Sequence, residues 1–274
     1  MKTPELNAYC SKWSLKEATL LTSTSTSVLY RVLFNEQNAI LKIFSEKGKQ
    51  SESNGSIVLL YFEGNGAVRL LRNDAGAQLL EHADGQQLKA LVVGGQDAAA
   101  TEIMSQVMSK LHSLCDPVPS GLISMETNFQ SLFRKASRES MDSIFVAGAR
   151  IAEKLIASEQ EVRVLHGDLH HENVVESSTR GWLAIDPQCL AGERTYDVAN
   201  AFYNPAGFLS LVGSTETIER RCAIYSKQLK MDRMRVLEFA FAYGCLSAAW
   251  HIEDGQSPDD TLQIARKIQL LLKT

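Results

Sequence analysis

The segment Val164-Leu-His-Gly-Asp-Leu-His-His-Glu-Asn-Val-Val175 constrains this chain more than any other stretch. Two apolar pairs, each reading as the end of a buried strand, bracket three of the six histidines together with Asp168, Glu172 and Asn173. So many polar side chains between two strand ends are not core material. They require a fold that holds a short loop rigidly at a sheet margin, where functional groups are presented. Two further positions demand the same kind of account. Leu183-Ala-Ile-Asp-Pro187 ends an apolar run on Asp186, and Lys42 interrupts the apolar strand Ala39-Ile-Leu-Lys-Ile-Phe44. An ammonium there is costly without an anionic partner.

The surrounding pattern predicts where these groups sit. Strands are expected at 17–21, 28–34, 39–44, 67–71 and 77–82, with a hydroxyl run, Thr22-Ser-Thr-Ser-Thr-Ser27, between the first two. The polar segment 45–55 and the apolar segment 56–62 together read as one helix with a weak start. After the short hinge Ala83-Asp-Gly85 the period changes. Met104, Met108, Leu111 and Cys115 form one stripe of an amphipathic helix that Asp97 would cap. More helices are expected at 125–136, 141–157, 215–228, 232–251 and 258–272, the last opened by Ser257-Pro258. The oily run 236–252 carries Glu238 and His251, which suits a buried helix better than a bilayer span. The fold class is therefore α+β: a small β-rich lobe, residues 1–83, hinged to a larger, mainly helical lobe, residues 84–274.

Composition removes several function classes. With 45% hydrophobic and 22% charged residues, a chain of 274 residues is an ordinary folded protein. A net charge of −4 lacks the basic excess of a nucleic-acid binder. Five scattered cysteines with no C-x-x-C pair argue against a zinc site or a disulfide framework and fit a reducing compartment. The first residues, Met1 to Glu5, contain no apolar region of a signal peptide. A cytoplasmic protein, monomeric, without nucleic-acid or membrane partners, is the expectation.

Taken in order, the polar positions match the requirements of phosphoryl transfer, in which cations neutralise the phosphates and a carboxylate orients the attacking hydroxyl. Asp168 and Asn173 have the spacing of an H-x-D-x-x-x-x-N catalytic loop. Asp168 would orient the acceptor hydroxyl and take its proton, while Asn173 and Asp186 would ligate Mg2+. Lys42 would bind the ATP phosphates, held by Glu52 or, failing that, Glu46. Ser25, Thr26 and Ser27 lie where a phosphate-covering loop belongs. Each part has a plainer reading: an edge lysine, a turn at Asp186-Pro187, a histidine bracing a loop. Their joint occurrence in the right order favours the chemical reading, with His166 as a loop brace and His170 and His171 as scaffold.

The loop His166–Asn173 resembles the catalytic loop of the aminoglycoside phosphotransferases, which share the protein-kinase-like fold. Gly64-Asn-Gly-Ala-Val-Arg-Leu-Leu71, Arg180-Gly-Trp-Leu-Ala-Ile-Asp-Pro187 and Ala242-Tyr-Gly-Cys-Leu-Ser-Ala-Ala-Trp250 are similar to blocks of the streptomycin 6-phosphotransferases, in the group called aminoglycoside/hydroxyurea resistance kinases. The similarity runs in register from about Leu20 to Trp250. It implies an ATP-dependent kinase that inactivates streptomycin at a hydroxyl of its streptidine ring, with Asp168 as base, Asn173 and Asp186 on magnesium, and Lys42 paired to Glu52. It also implies that backbone groups of Glu81-His-Ala83 meet adenine. The phosphate loop departs from the Gly-rich type in having no glycine, and Asp186-Pro187 replaces D-F-G. Asp197 would brace the catalytic loop from behind. A cationic, guanidinium-bearing substrate calls for carboxylates and an aromatic face, for which Glu172, Glu193, Glu253, Asp254 and Trp250 are the candidates.

Three other readings are open at this level. A kinase of another small hydroxylated metabolite would need the same machinery. A dinuclear metal hydrolase could use the H-x-D-x-H-H run, but would have to recruit ligands from His82, His112 or His251, none of which has a ligand pattern beside it. A binding-only pseudokinase would have lost the lysine or an aspartate, and all are present.

Overall fold

A computed structural model of the chain describes residues 4–51 and 55–273. It opens on α1 (Pro4–Lys12), followed by β1 (Lys16–Ser23), β2 (Ser27–Phe34), β3 (Gln37–Phe44), α2 (Glu46–Ser51), α3 (Gly55–Phe62), β4 (Leu70–Asp74) and β5 (Ala77–Glu81). The five strands make one antiparallel sheet in the order β1-β2-β3-β5-β4. Alternation decides its two faces. Tyr30, Val32, Ala39, Leu41, Ile43 and Leu79 pack with Leu6 and Trp13 around α1 in one buried cluster. Ile40 and Lys42 therefore point the other way, toward the rest of the molecule. No sequence signal anticipated α1, whose only fully buried side chain is Leu6.

The remainder comprises α4 (Lys89–Val93), α5 (Asp97–Leu111), β6 (Ile123–Ser124), α6 (Met125–Asn128), α7 (Gln130–Ala136), α8 (Ile144–Ala157), β7 (Val162–Leu165), β8 (Val174–Ser177), β9 (Gly181–Ala184), β10 (Leu190–Glu193), α9 (Tyr196–Ala199), a 3-10 turn (Asn200–Tyr203), α10 (Leu209–Val212), α11 (Thr215–Leu229), α12 (Arg233–Glu253) and α13 (Asp259–Leu271). The oily run became α12, whose apolar side chains from Val236 to Ala249 are buried, and among the described residues no helix is long and apolar enough to cross a membrane. Asp232 caps it, accepting the Arg235 N–H at 2.8 Å.

Three expectations are corrected. The segment 125–136 is two helices that meet at Phe129. Cys115 lies past the end of α5 and is exposed, so the apolar stripe stops at Leu111. Asp97 does not cap α5, because its carboxylate is turned onto Arg221, with Nη2 at 2.5 Å and Nε at 3.1 Å. Between α2 and α3, residues 52–54 are outside the described set, so the expected single helix appears as two separate spans.

The link after β5 is fastened to the β8–β9 hairpin. Asp84 accepts from the Ser178 N–H at 2.8 Å and from its hydroxyl at 2.7 Å. Gly85 N–H donates to Glu176 O at 2.8 Å. Arg180 bonds both Glu81 and the Gly64 carbonyl.

Candidate active site

Hairpin register brings the two metal candidates together. β8 and β9 pair with Val174 opposite Ala184, which sets Asn173 next to Ile185, and the Ile185 N–H donates to Asn173 O at 2.9 Å. Asn173 and Asp186 are thereby held at one end of the hairpin, although a dozen residues separate them. β7 and β10 do the same from the other side. Leu165 faces Leu190, and Gln188 N–H donates to His166 O at 2.7 Å.

The loop that carries Asp168 is braced from behind by Asp197, which is buried and accepts from His166 N at 3.0 Å, Gly167 N at 2.8 Å and His112 Nε2 at 2.8 Å. Burial pushes the Asp197 carboxyl up, but the His112 contact and the surrounding donors more than offset it and leave it below the ordinary value. His166 Nε2 lies 2.9 Å from Ile185 O and its Nδ1 accepts the Asp168 N–H at 3.3 Å, which makes it the loop brace that was expected. Gly167 turns through φ 79°, and a Cβ there would stand 3.0 Å from Gln188 Cβ.

Asp168 is the group with the most perturbed surroundings. Burial pushes its carboxyl up to about 7, and the neighbouring Asp186 carboxylate adds to the rise. Hydrogen bonds from Asn173 and Asn200 work in the opposite direction. Asn200 Nδ2 donates to Oδ1 at 2.8 Å, and Asn173 Nδ2 reaches the Asp168 carbonyl at 2.9 Å and Oδ2 at 3.3 Å. A base poised near neutrality is suited to accept a hydroxyl proton. Lys42 is buried and donates to Asp186 Oδ1 at 2.5 Å. Asp186 itself takes the left-handed conformation at φ 59°, a strained placement of the kind found at functional positions.

Two cavities adjoin this cluster. The first, about 220 Å³, lies under the sheet between Leu21, Leu29, Ile40, Val68 and Leu80 above and Val175 and Ile185 below. Glu81, His82 and Ala83 form its outer edge, and Lys42 and Asp186 its inner end. An apolar slot with backbone at the rim and an ammonium at the end is shaped for a purine with phosphates. The hydroxyl run is closed by its own side chains. Thr24 Oγ1 accepts the N–H groups of Thr26 at 3.2 Å and Ser27 at 3.0 Å, while Ser45 N–H and Oγ–H donate to Thr26 O at 2.8 Å and Ser25 O at 2.9 Å. Glu52, expected to hold Lys42, is outside the described residues. The reserve candidate Glu46 bonds Lys49 at 2.6 Å.

The second cavity, about 450 Å³, is walled by Asn200, Tyr203, Asn204 and Pro205, by Ser247 and His251 of α12, and by Asp259 and Asp260 of α13. Asn200, in its wall, is the residue that donates to Asp168. None of the five substrate candidates read from sequence lines it. Glu193 is 2% exposed, clamped by Arg235 Nε at 2.6 Å and Nη2 at 2.5 Å. It pairs with Val162, the end of β7 remote from the catalytic loop. Glu253 accepts from Ser131 at 2.8 Å and Arg134 at 3.0 Å, and Asp254 is the exposed C-cap of α12. Glu172 flanks the catalytic loop but takes the Lys89 ammonium at 2.7 Å. Trp250 stands edge-on to Tyr243 at 6.3 Å, part of the packing behind the site. The residues that sequence reasoning missed are Asn200, Asp259 and Asp260. Asp259-Asp260 reads only as an acidic first helical turn, and Asn200 follows Asp197 by one turn with no pattern of its own.

The donor set of Asn173 and Asp186 fits a hard cation. Asn173 directs its amide nitrogen to Asp168, which turns its Oδ1 away from that residue, and Asp186 is half exposed at the cavity end. One amide oxygen and one carboxylate are what magnesium bound mainly by phosphates requires. The histidines do not converge for a dinuclear site. His171 is fully buried with neither ring nitrogen hydrogen-bonded and is pushed by burial down to about 3, and burial likewise takes His170 down to about 4. Among the described residues no three His, Cys, Asp or Glu side chains are gathered for a metal.

Known proteins give the same picture. The family described as aminoglycoside/hydroxyurea antibiotic resistance kinase matches residues 12–255. A streptomycin 3''-kinase of Klebsiella pneumoniae is 36% identical over 250 residues, covering 89% of this chain and 91% of its own. A streptomycin 6-kinase of Streptomyces griseus is 29% identical over 274 residues, covering 96% and 87%. Among solved structures, choline kinase LicA from Streptococcus pneumoniae superimposes with a TM-score of 0.67 at 14% identity, over 97% of this chain and 99% of that one. The aminoglycoside phosphotransferase APH(4)-Ia, in a ternary complex with ADP and hygromycin B, does so with a TM-score of 0.66 at 12% identity, over 97% of each chain. The fold is thus the kinase-like fold of small-molecule phosphotransferases, and the chain belongs to the aminoglycoside/hydroxyurea antibiotic resistance kinase family.

Proposed function

We propose that this protein transfers the γ-phosphoryl group of ATP to a hydroxyl of streptomycin or a closely related aminoglycoside, with the nucleotide in the lobe of residues 1–83 and the acceptor in the lobe of residues 84–274. One observation carries the reading: Asp168 stands beside Asp186, which with Lys42 ends the slot, and accepts from Asn200, a wall residue of the cavity that also holds Asp259 and Asp260. The acceptor hydroxyl enters from the second cavity and hydrogen-bonds Asp168, which orients its oxygen toward the phosphorus and takes its proton as the new bond forms. Lys42 neutralises charge on the phosphates, and Asn173 and Asp186 would hold Mg2+, which would supply further positive charge to offset that of the phosphates. The Asp259 and Asp260 carboxylates suit a guanidinium or ammonium of the antibiotic.

The relatives divide over the position modified, one named for 3'' and another for 6. Phosphorus NMR of the product of streptomycin and Mg-ATP assigns the position, and the expected result is a single phosphate ester. A second reading, phosphorylation of another small cationic alcohol, is favoured by the same acidic cavity. Asp259→Asn and Asp260→Asn separate the two. Each should raise the streptomycin KM about tenfold, the weight of one charge-assisted contact, with ATP kinetics unchanged. No change in KM would remove streptomycin from that cavity.

A further inference from the structure

Asp168 can serve as a base only if one of its oxygens faces the acceptor and is free to take a proton. The side chains behind it decide which one. Asn204 Nδ2 lies 3.1 Å from the Asn200 carbonyl oxygen and 2.8 Å from Asn200 Oδ1. A carbonyl oxygen accepts and never donates, so the end of the Asn204 amide that faces it must be the NH2 group. The Asn200 amide must then turn its oxygen to Asn204, and its own NH2 group is left for Asp168 Oδ1, at 2.8 Å. Rotating the Asn200 amide would set oxygen against carboxylate at one end and NH2 against NH2 at the other. Asn204 is in turn fixed through its main chain. Arg221 is 1% exposed and donates to Asn204 O at 2.8 Å and to Ala201 O at 2.5 Å, while Asp97 holds its other nitrogens. A buried ion pair thus anchors a one-way series of donors ending on the base.

We propose that Asn200, oriented by Asn204, is a positioning residue for phosphoryl transfer: by donating to Asp168 Oδ1 at 2.8 Å it fixes the plane of the carboxylate, so that Oδ2, which takes the longer Asn173 Nδ2 contact at 3.3 Å, meets the substrate hydroxyl with its other lone pair. This rests on the phosphotransferase reading above. Asn200 and Asn204 also line the acceptor cavity, so the series couples the wall the substrate touches to the orientation of the base. Neither residue reaches the nucleotide slot, whose lining contains neither of them.

The test is a kinetic double-mutant cycle. Asn200→Ala should lower kcat by about 10- to 100-fold, the range expected for a misaligned general base, with the KM for ATP within about twofold of wild type. Asn204→Ala should lower kcat by less. The double variant should be no slower than Asn200→Ala, because Asn204 acts through Asn200. Asn204→Asp keeps the volume but cannot donate to Asn200, and it should reproduce the loss even where the alanine variant folds poorly. Wild-type kcat in Asn200→Ala or Asn204→Asp would overturn the proposal. So would losses that multiply in the double variant, which would make Asn204 an independent contact. Rates are read as ratios to wild type on whichever acceptor turns over, or on hydrolysis of ATP by water. Absence of streptomycin turnover in the wild type therefore counts against the functional reading alone, and the ratios count for or against the positioning role.

Discussion

Asp168 is the residue whose surroundings give the clearest expected pH signature. With Asp168 held up to about 7 by burial and by Asp186, kcat/KM, which reports the free enzyme, should fall below about pH 7 with an acid limb of unit slope. A cation held at Asp186 would neutralise the charge that raises Asp168, which would place the limb in kcat at lower pH. Coincident limbs in the two profiles would contradict that electrostatic coupling. Stability follows the opposite sign. A carboxyl whose folded value lies above its unfolded one contributes stability below pH ~4 and loses it as pH rises through ~7. Asp168→Asn should abolish turnover, retain ATP binding, and melt roughly 2–6 °C higher than wild type at pH 8 but not at pH 5. Lys42→Ala should act on the other side of the site. Losing the buried partner of Asp186 should cut kcat/KM for ATP by about 100-fold or more, and unchanged ATP kinetics would remove Lys42 from the phosphates.

At the scale of elements, register and close approach place these groups, and here sequence patterns are only partly informative. The β8–β9 pairing that joins Asn173 to Asp186 was foreshadowed by two apolar runs with a polar turn between them, since alternation reports strands. The hydroxyl run was legible as a loop but not in its closure, which depends on Thr24 and on Ser45 arriving from the next element. Gly48 permits that arrival, for a Cβ there would stand 2.0 Å from Thr26 O. Gly48→Ala should displace the loop and raise the KM for ATP about tenfold while the acceptor KM stays; equal effects on both would argue against a local role. Glu193 shows the converse limit. Its charge and its position after Asp186 suggested a substrate contact, yet only the packing of β10 against α12 shows Arg235 closing on it. Glu193→Gln should cost about 3–5 kcal/mol of stability, as breaking a buried ion pair does, and leave the streptomycin KM of the folded fraction unchanged. Asp259 and Asp260 were invisible for a related reason. A first-turn acid is common on any helix, and their place in the cavity wall comes from α13 folding back beside α12.

For the whole molecule, the change from strand patterns before residue 83 to helical periods after it was enough to name the two-lobed fold, and the order of Lys42, Asp168, Asn173 and Asp186 pointed to its chemistry. The cavity proposed for the acceptor was not legible, since its wall joins the turn after α9 to the end of α12 and the start of α13, which lie far from that turn in the chain. What unites the two sides is that Asp168 is coupled to the Lys42 end of the slot through Asp186 and to the wall of the acidic cavity through Asn200. ADP release by the wild-type protein with Mg-ATP, with and without streptomycin, tests this account most directly, with Asp168→Asn as the blank. The account predicts release that depends on streptomycin, saturates with it, and disappears in Asp168→Asn although that variant still binds ATP. Streptomycin-independent release of the same rate, or turnover that persists in Asp168→Asn, would contradict it.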